Sequence, residues 1–191
     1  MAFDGLKVGF ALTGSFCSLE KTFRIMETLK DDYSLIPIVS EKVANTDTRF
    51  FQKEEVMDRL TQICGRPPLT SIVDTEPIGP KKMLDLLVIC PCTGNSLSKM
   101  ALGITDTCVT MAAKSHRRNG GKLLIALSTN DALSGSAKSL GLFADKKDVF
   151  FVPMRQDAPK EKPSSLVCDF SLIPDAVSAA LEGNQLQPIF Q

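Results

Sequence analysis

The run Leu84 to Cys90 carries one polar residue, Asp85, and is followed by Pro91-Cys92-Thr93-Gly94-Asn95-Ser96-Leu97-Ser98-Lys99-Met100-Ala101. An apolar run without alternation is the pattern of a strand buried on both faces of a parallel sheet. The small and polar residues after it open a helix. Such a junction points free backbone N–H groups and the positive end of a helix dipole at one spot, which suits an anion. In open α/β sheets, ligands gather at this carboxyl end of the strands. The first strand, Leu6 to Leu12, ends in the same manner, in Thr13-Gly14-Ser15.

Elsewhere apolar runs alternate with segments of helical spacing. Strands are expected at Leu35 to Val39, Lys122 to Leu127 and Val149 to Val152, with a short one at Ser71 to Val73. Helices are expected at Leu19 to Leu29, Lys53 to Cys64, Asn95 to about Ser115, Ser134 to Leu142 and Leu172 to Leu181. Gly65 and Pro67 stop the second of these, and Gly141 ends the fourth. This alternation predicts an α/β fold: a doubly wound parallel sheet, three-layer α/β/α, with right-handed crossovers. No repeat or long linker divides the 191 residues, so one domain over 1–191 is expected. Residues 157–165 read as a lid or a surface connection, and a C-terminal helix spans about 172–182.

Lys+Arg and Asp+Glu balance at 22 each, and no basic stripe with interleaved aromatics occurs, so no nucleic-acid partner is expected. Arg117-Arg118 and Lys146-Lys147 read as solvated ends of elements. No apolar run reaches the roughly 20 residues that span a bilayer, and no signal-peptide pattern opens the chain. A cytoplasmic protein with no membrane partner is therefore expected. Six scattered cysteines suit reduced, mostly buried thiols, and Cys90-Pro91-Cys92 is too tight for a zinc pair, so no metal is expected. Cys17 and Cys92 stand at strand mouths, where a thiol is either reactive or simply packed. His116, the one histidine, falls at the expected exposed end of the long helix.

Four strand ends carry residues suited to a phosphorylated ligand: Thr13-Gly14-Ser15-Phe16, Ser40, Pro91-Cys92-Thr93-Gly94-Asn95 and Ser128-Thr129-Asn130. Hydroxyls, amides and carboxamides can hold a phosphate and a polar heterocycle without a full charge pair. Neither GxGxxG after the first strand nor GxxxxGK[ST] occurs, which disfavours the common dinucleotide and P-loop sites.

The segment from Pro91 to Asp106 resembles the P-A-S-x-N-T-x-x-K-x-A-x-G-x-A-D segment of the flavoprotein family that includes the flavin-containing cysteine decarboxylases. Gly14-Ser15 is similar to that family's first loop, Glu20-Lys21 sits where the family often has a Lys, and Asn130 lies where it has the Asn of a P-A-M-N turn. The likeness covers about residues 5 to 155. It implies a Rossmann-like, flavodoxin-type fold that binds FMN between subunits of a homo-oligomer, a trimer or a multiple of one. Gly14, Ser15, Phe16, Ser40, Cys92, Thr93, Asn95, Ser128, Thr129 and Asn130 are the cofactor-binding candidates it implies. The apolar side of the long helix, with Leu97, Met100, Ile104 and Met111, is a face for such self-association or for one domain's core.

Two further stretches narrow the resemblance within the family. Ile36 to Glu41 with Thr46 to Phe50, and Val152 to Asp157 with Lys162 to Val167, are similar to one member of a two-component enzyme of spore-forming bacteria. That pair oxidises a dihydro ring dicarboxylate to its aromatic form. The implied partners are the companion component, which would bring NADP, and a small dicarboxylate. The implied place is the cytoplasm of the mother cell. Arg49, Arg155 and Lys99 are the candidates for holding carboxylates, both arginines able to reach one rim, with Lys99 open to pairing with a carboxylate such as Asp106 or with a neighbouring subunit instead. Asp157 and Glu41 are the candidates for accepting a ring proton. The decarboxylases use a His after the second strand, and this chain has none between Ser40 and Thr75. They also use a Cys in a Gly-rich flap, which Leu166-Val167-Cys168-Asp169-Phe170 does not resemble. An FMN-dependent lyase or transferase and a non-catalytic scaffold are the competing readings.

Overall fold

A computed structural model describes residues 5–191, so residues 1–4 of the expected domain lie outside the described residues. In chain order the elements are β1 (Lys7–Leu12), α1 (Leu19–Leu29), β2 (Ser34–Val39), α2 (Glu41–Ala44), α3 (Lys53–Cys64), α4 (Ile72–Thr75), β3 (Leu86–Cys92), α5 (Gly94–Ala101), α6 (Cys108–Arg118), β4 (Lys122–Thr129), α7 (Ala137–Ala144), β5 (Val149–Phe151), β6 (Met154–Arg155), β7 (Leu166–Cys168) and α8 (Ile173–Glu182). Hydrogen bonds order the sheet β2-β1-β3-β4-β7-β6, with β5 also on β4. Strands β1 to β5 pair in parallel.

Side chains alternate across the sheet with the two-residue period of a strand. Val8, Phe10 and Leu12 enter a core with Phe23 and Met26 of α1, Leu60 of α3 and Val177 of α8. Ala11, Leu87 and Ile89 enter the opposite core with Leu97 of α5, Val109 and Ala112 of α6, and Phe143 of α7. Helices thus cover both faces, and the molecule is the three-layer α/β/α, Rossmann-like, flavodoxin-type fold. Among the described residues no helix is long and apolar enough to cross a membrane.

The structure corrects several expected elements. The long helix from Asn95 is two helices. Gly103 takes a left-handed φ of +75°, and the Ile104 N–H reaches back to the Lys99 carbonyl at 2.8 Å, which closes α5. Thr107 then caps α6 in a reciprocal pair with Thr110. The expected strand at Ser71 to Val73 is the entry to α4: Ser71 Oγ accepts from the Asp74 N–H and Asp74 Oδ2 from the Ser71 N–H. The strand-like contact falls earlier, at Leu69 beside Ile38. Gly141 lies inside α7, which runs from Ala137 rather than Ser134. The sheet is mixed, because β7 runs antiparallel to both β4 and β6. Finally, β3 runs two residues further than expected. Pro91 brings no N–H to the ladder, and the register with β4 slips between Ile89 and Cys92. The Cys90–Pro91 peptide is cis.

Candidate functional site

The ends of β1, β2 and β3 meet at a cleft of about 500 Å³ lined by Thr13, Gly14, Ser40, Glu41, Thr93 and Asn95, among others. Thr13 ties two strand ends together. Its Oγ1 donates to the Pro91 carbonyl at 2.7 Å and accepts from the Thr93 N–H at 3.0 Å. Thr93 caps α5, its Oγ1 accepting from the Ser96 N–H at 3.3 Å. The first turn of the helix closes with the Leu97 N–H on the Thr93 carbonyl at 3.0 Å. The amides of Gly94 and Asn95 precede that bond, and a helix offers them no internal acceptor. Gly94 is needed for packing: a Cβ there would collide with Thr129, Asp131 and Ser136 beyond β4.

The floor of this cleft carries two unsatisfied atoms. Ser40 is 7% exposed, and among the described residues neither its Oγ nor the buried Oε2 of Glu41 has a hydrogen-bond partner. Glu41 gives Oε1 to the Cys108 N–H at 2.9 Å, at the start of α6. Buried polar atoms are nearly always paired in folded proteins, so two unpaired ones on adjacent residues set this cleft apart. On the wall, Lys99 Nζ donates to Asp106 Oδ2 at 2.7 Å across the gap between α5 and α6. That hydrogen bond holds the Asp106 carboxyl below its usual range.

Next to this cleft Ser15, Ser18 and Ser128 form a triangle of hydroxyls, with Oγ separations of 3.1, 3.2 and 3.3 Å. Thr129 Oγ1 donates to Asp131, and Asn130 is exposed. Phe16 is half-buried against the β1–α1 core. Ser128 pairs with Val167 of β7, and there a second cleft of about 280 Å³ opens, lined by Lys21, Arg155, Asp157, Asp169 and Phe170 with the β7 backbone residues. Asp157 is held below its usual range by the Ser165 hydroxyl and, after burial's opposing effect, by Lys162. Asp169 is held low by the Ser171 hydroxyl, with burial opposing and the Ser171 backbone N–H assisting.

The structure therefore gathers Gly14, Ser40, Glu41, Thr93, Asn95 and Lys99 at one cleft, Ser15 with Ser128 beside it, and Arg155 with Asp157 at the second. Arg49 joins neither: its guanidinium lies 4.8 Å over the exposed Phe50 ring. Arg155 sits on β6 and lines the second cleft, whereas Arg49 lies in the loop between α2 and α3 and lines neither, so the two arginines share no cleft. Cys92 is fully buried and burial pushes its thiol far up, which removes it as a reactive strand-mouth cysteine, whereas Cys17 is exposed. His116 is 4% exposed, not the solvated helix end expected, and Arg117 is tied to Asp148. Sequence reasoning missed Ser18 as part of the hydroxyl triangle. Its spacing of three from Ser15, over one tight helical turn, was the available signal.

A family model described as Flavoprotein matches residues 3–140. The chain belongs to the flavoprotein family. It is 41% identical over 186 residues to the B subunit of dipicolinate synthase from Bacillus subtilis (strain 168), covering 97% of this chain and 93% of that protein. The crystal structure of the B subunit of dipicolinate synthase from Bacillus halodurans C superposes with a TM-score of 0.91 at 41% identity, over 100% of this chain and 98% of that one. The FMN-dependent cysteine decarboxylase SpaF superposes with a TM-score of 0.68 at 16% identity, over 95% and 98% of the two chains. That last likeness is one of fold.

Proposed function

We propose that this chain acts as the B subunit of a dipicolinate synthase. In that role it works with the companion A subunit to oxidise dihydrodipicolinate to dipicolinate during sporulation, in the mother-cell cytoplasm. One observation carries the reading. The family model stops at residue 140, whereas the likeness to the Bacillus subtilis protein takes in 97% of the chain, and so the region of β5, β6, β7 and α8 as well. The decarboxylase reading lacks its groups: no His lies between Ser40 and Thr75, and Cys168 is buried in β7.

FMN fits the first cleft by its donor set. A phosphate suits the Gly94 and Asn95 amides at the start of α5. A polyol chain suits Glu41 Oε2, which can only accept, and Ser40 Oγ, which can donate or accept. When bound, FMN supplies a two-electron acceptor for the ring's hydride. Ser40 and Glu41 orient the polyol, Thr13 and Thr93 fix the strand ends beneath it, and the Ser15–Ser18–Ser128 triangle walls the site toward β7. The companion subunit brings NADP as the nicotinamide partner. A homo-oligomer, a trimer or a multiple of one, completes the reading. The exposed Leu102 and Ile104 at the break between α5 and α6, 67% and 42% exposed, support that self-association.

The test is to purify the chain, add FMN and separate by gel filtration. Flavin absorbance should travel with the protein. Adding the companion subunit, NADP and dihydrodipicolinate should then yield dipicolinate at a rate that the companion does not reach by itself. A rate equal to that of the companion by itself overturns the reading.

A further inference from the structure

We propose that the cleft between β6, β7 and the first turn of α1 binds a small ring dicarboxylate, with one carboxylate on the Arg155 guanidinium and the other on the Lys21 ammonium. The inference rests on the dipicolinate synthase reading and assigns its substrate a place.

The two cations lack close acidic partners while the two acids have partners of their own. Among the described residues, neither Arg155 nor Lys21 has a carboxylate within ion-pair distance, although both line a cleft that contains Asp157 and Asp169. Their charges reach Asp169 only from a distance, as the weakest of the influences on it. Each acid is held from elsewhere. Asp169 Oδ1 accepts from the Ser171 N–H at 3.0 Å and the Ser171 hydroxyl at 2.6 Å. Asp157 Oδ2 accepts from Lys162 at 3.3 Å. A pair of carboxylates from outside is what this arrangement lacks.

The cations are also placed by rigid elements. Arg155 sits on β6 opposite Val167 of β7, and Val167 pairs in turn with Ser128 of β4, so its backbone is held in the sheet. Lys21 Nζ lies 5.7 Å above the ring of Phe170, which is buried. The two charges therefore come from different elements across a cavity of about 280 Å³. That is room for one ring with its substituents and too little for a dinucleotide. A planar guanidinium accepts a carboxylate through two parallel hydrogen bonds, which gives orientation as well as affinity. Ser128, which pairs with Val167 of this cleft, also bonds Ser15, the residue after Gly14 of the first cleft.

The test is isothermal titration of the full chain with pyridine-2,6-dicarboxylate, and in parallel with FMN. Arg155→Ala and Lys21→Ala should each weaken the dicarboxylate about tenfold, the value of one charge-assisted hydrogen bond. Arg155→Lys should recover part of that loss, and Arg66→Ala, at an exposed arginine in neither cleft, should change nothing. Pyridine-2-carboxylate should bind about tenfold more weakly than the dicarboxylate. Both cations are exposed, so thermal melts should show the variants folded. Wild-type dicarboxylate affinity in both alanine variants overturns the assignment, as does the absence of any dicarboxylate binding to the wild type. Loss of FMN binding with the dicarboxylate unaffected overturns it too, since the cations would then serve the cofactor phosphate. Dipicolinate formation with the companion subunit separates the two levels. If the wild-type pair makes dipicolinate and the cleft variants match it in binding and rate, this assignment falls and the synthase reading stands. If the wild-type pair makes none, the synthase reading falls whatever the titrations show.

Discussion

The two ends of the sheet treat polar groups in opposite ways. At the amino ends of the strands the polar groups are closed on one another. Arg117 grips Asp148 through two hydrogen bonds of 2.7 and 3.0 Å, Asp85 accepts from the Lys7 N–H at 2.7 Å, and Lys122 Nζ donates to the Leu181 carbonyl at 2.6 Å. At the carboxyl ends several are left without a partner, beside pairs such as Lys99–Asp106. Ser40 Oγ and Glu41 Oε2 have no partner, three serine hydroxyls bond only among themselves and the Cys17 thiol, and Arg155 and Lys21 face a cleft without a close ion pair. The lesson is about where the molecule places its polar capacity: one end of the sheet uses it to hold the fold, and the other leaves part of it unpaired.

The largest effect should come from breaking the closed end. Asp148→Ala leaves the Arg117 guanidinium half-buried without its carboxylate and should lower unfolding free energy by about 2 kcal/mol in urea melts, with FMN binding unchanged. A variant that loses flavin without losing stability would break the division between the ends.

The open end should show the reverse. Glu41→Gln keeps an oxygen for the Cys108 N–H but replaces the open carboxylate oxygen with an N–H₂ group, and should weaken FMN about tenfold in a fluorescence titration while costing less than about 1 kcal/mol of stability. Tighter FMN binding in this variant would mean that the carboxylate repels the phosphate instead of accepting from the polyol. Ser40→Ala should weaken FMN about threefold and leave the melting midpoint unchanged or slightly raised, because a buried hydroxyl with no partner is a cost in the free protein.

Legibility in the sequence follows the same division. The parallel strands β1 to β4 showed as apolar runs because both faces are covered, and the strand-end residues showed because Thr, Ser, Gly and Asn are out of place inside such runs. Strands β6 and β7, two and three residues long, are too short for any period to register, so the antiparallel hairpin and its cleft were invisible as structure. The break between α5 and α6 was written in Gly103 and in the Thr107–Thr110 pair, but the apolar spacing continues through it and masks it. The capping pair Ser71–Asp74 was likewise present and read as strand. Ion pairs such as Arg117–Asp148 join residues 31 apart, and neither residue alone announces the other.

The smallest predicted effect tests the closed end at a polar atom that has no partner among the described residues. His116 is 4% exposed, its ring fills the space over Gly121 where a Cβ would strike it, and its Nε2 has no partner. Burial lowers its pKa below 6.5, against the opposing pull of the Lys122 backbone and the Asp85 and Asp148 charges. The folded imidazole thus resists a proton that the unfolded one takes up as pH falls through 6.5. Unfolding free energy should be full above that value and decline below it, by no more than about 0.7 kcal/mol between pH 7 and pH 6. His116→Leu should flatten that segment of the curve. Because the chain has one histidine, its imidazole C2–H resonance needs no assignment, and the folded wild type should titrate with a midpoint below 6.5. A midpoint at or above 6.5 would mean that water reaches the ring, and that the amino end of the sheet is less closed than its ion pairs imply.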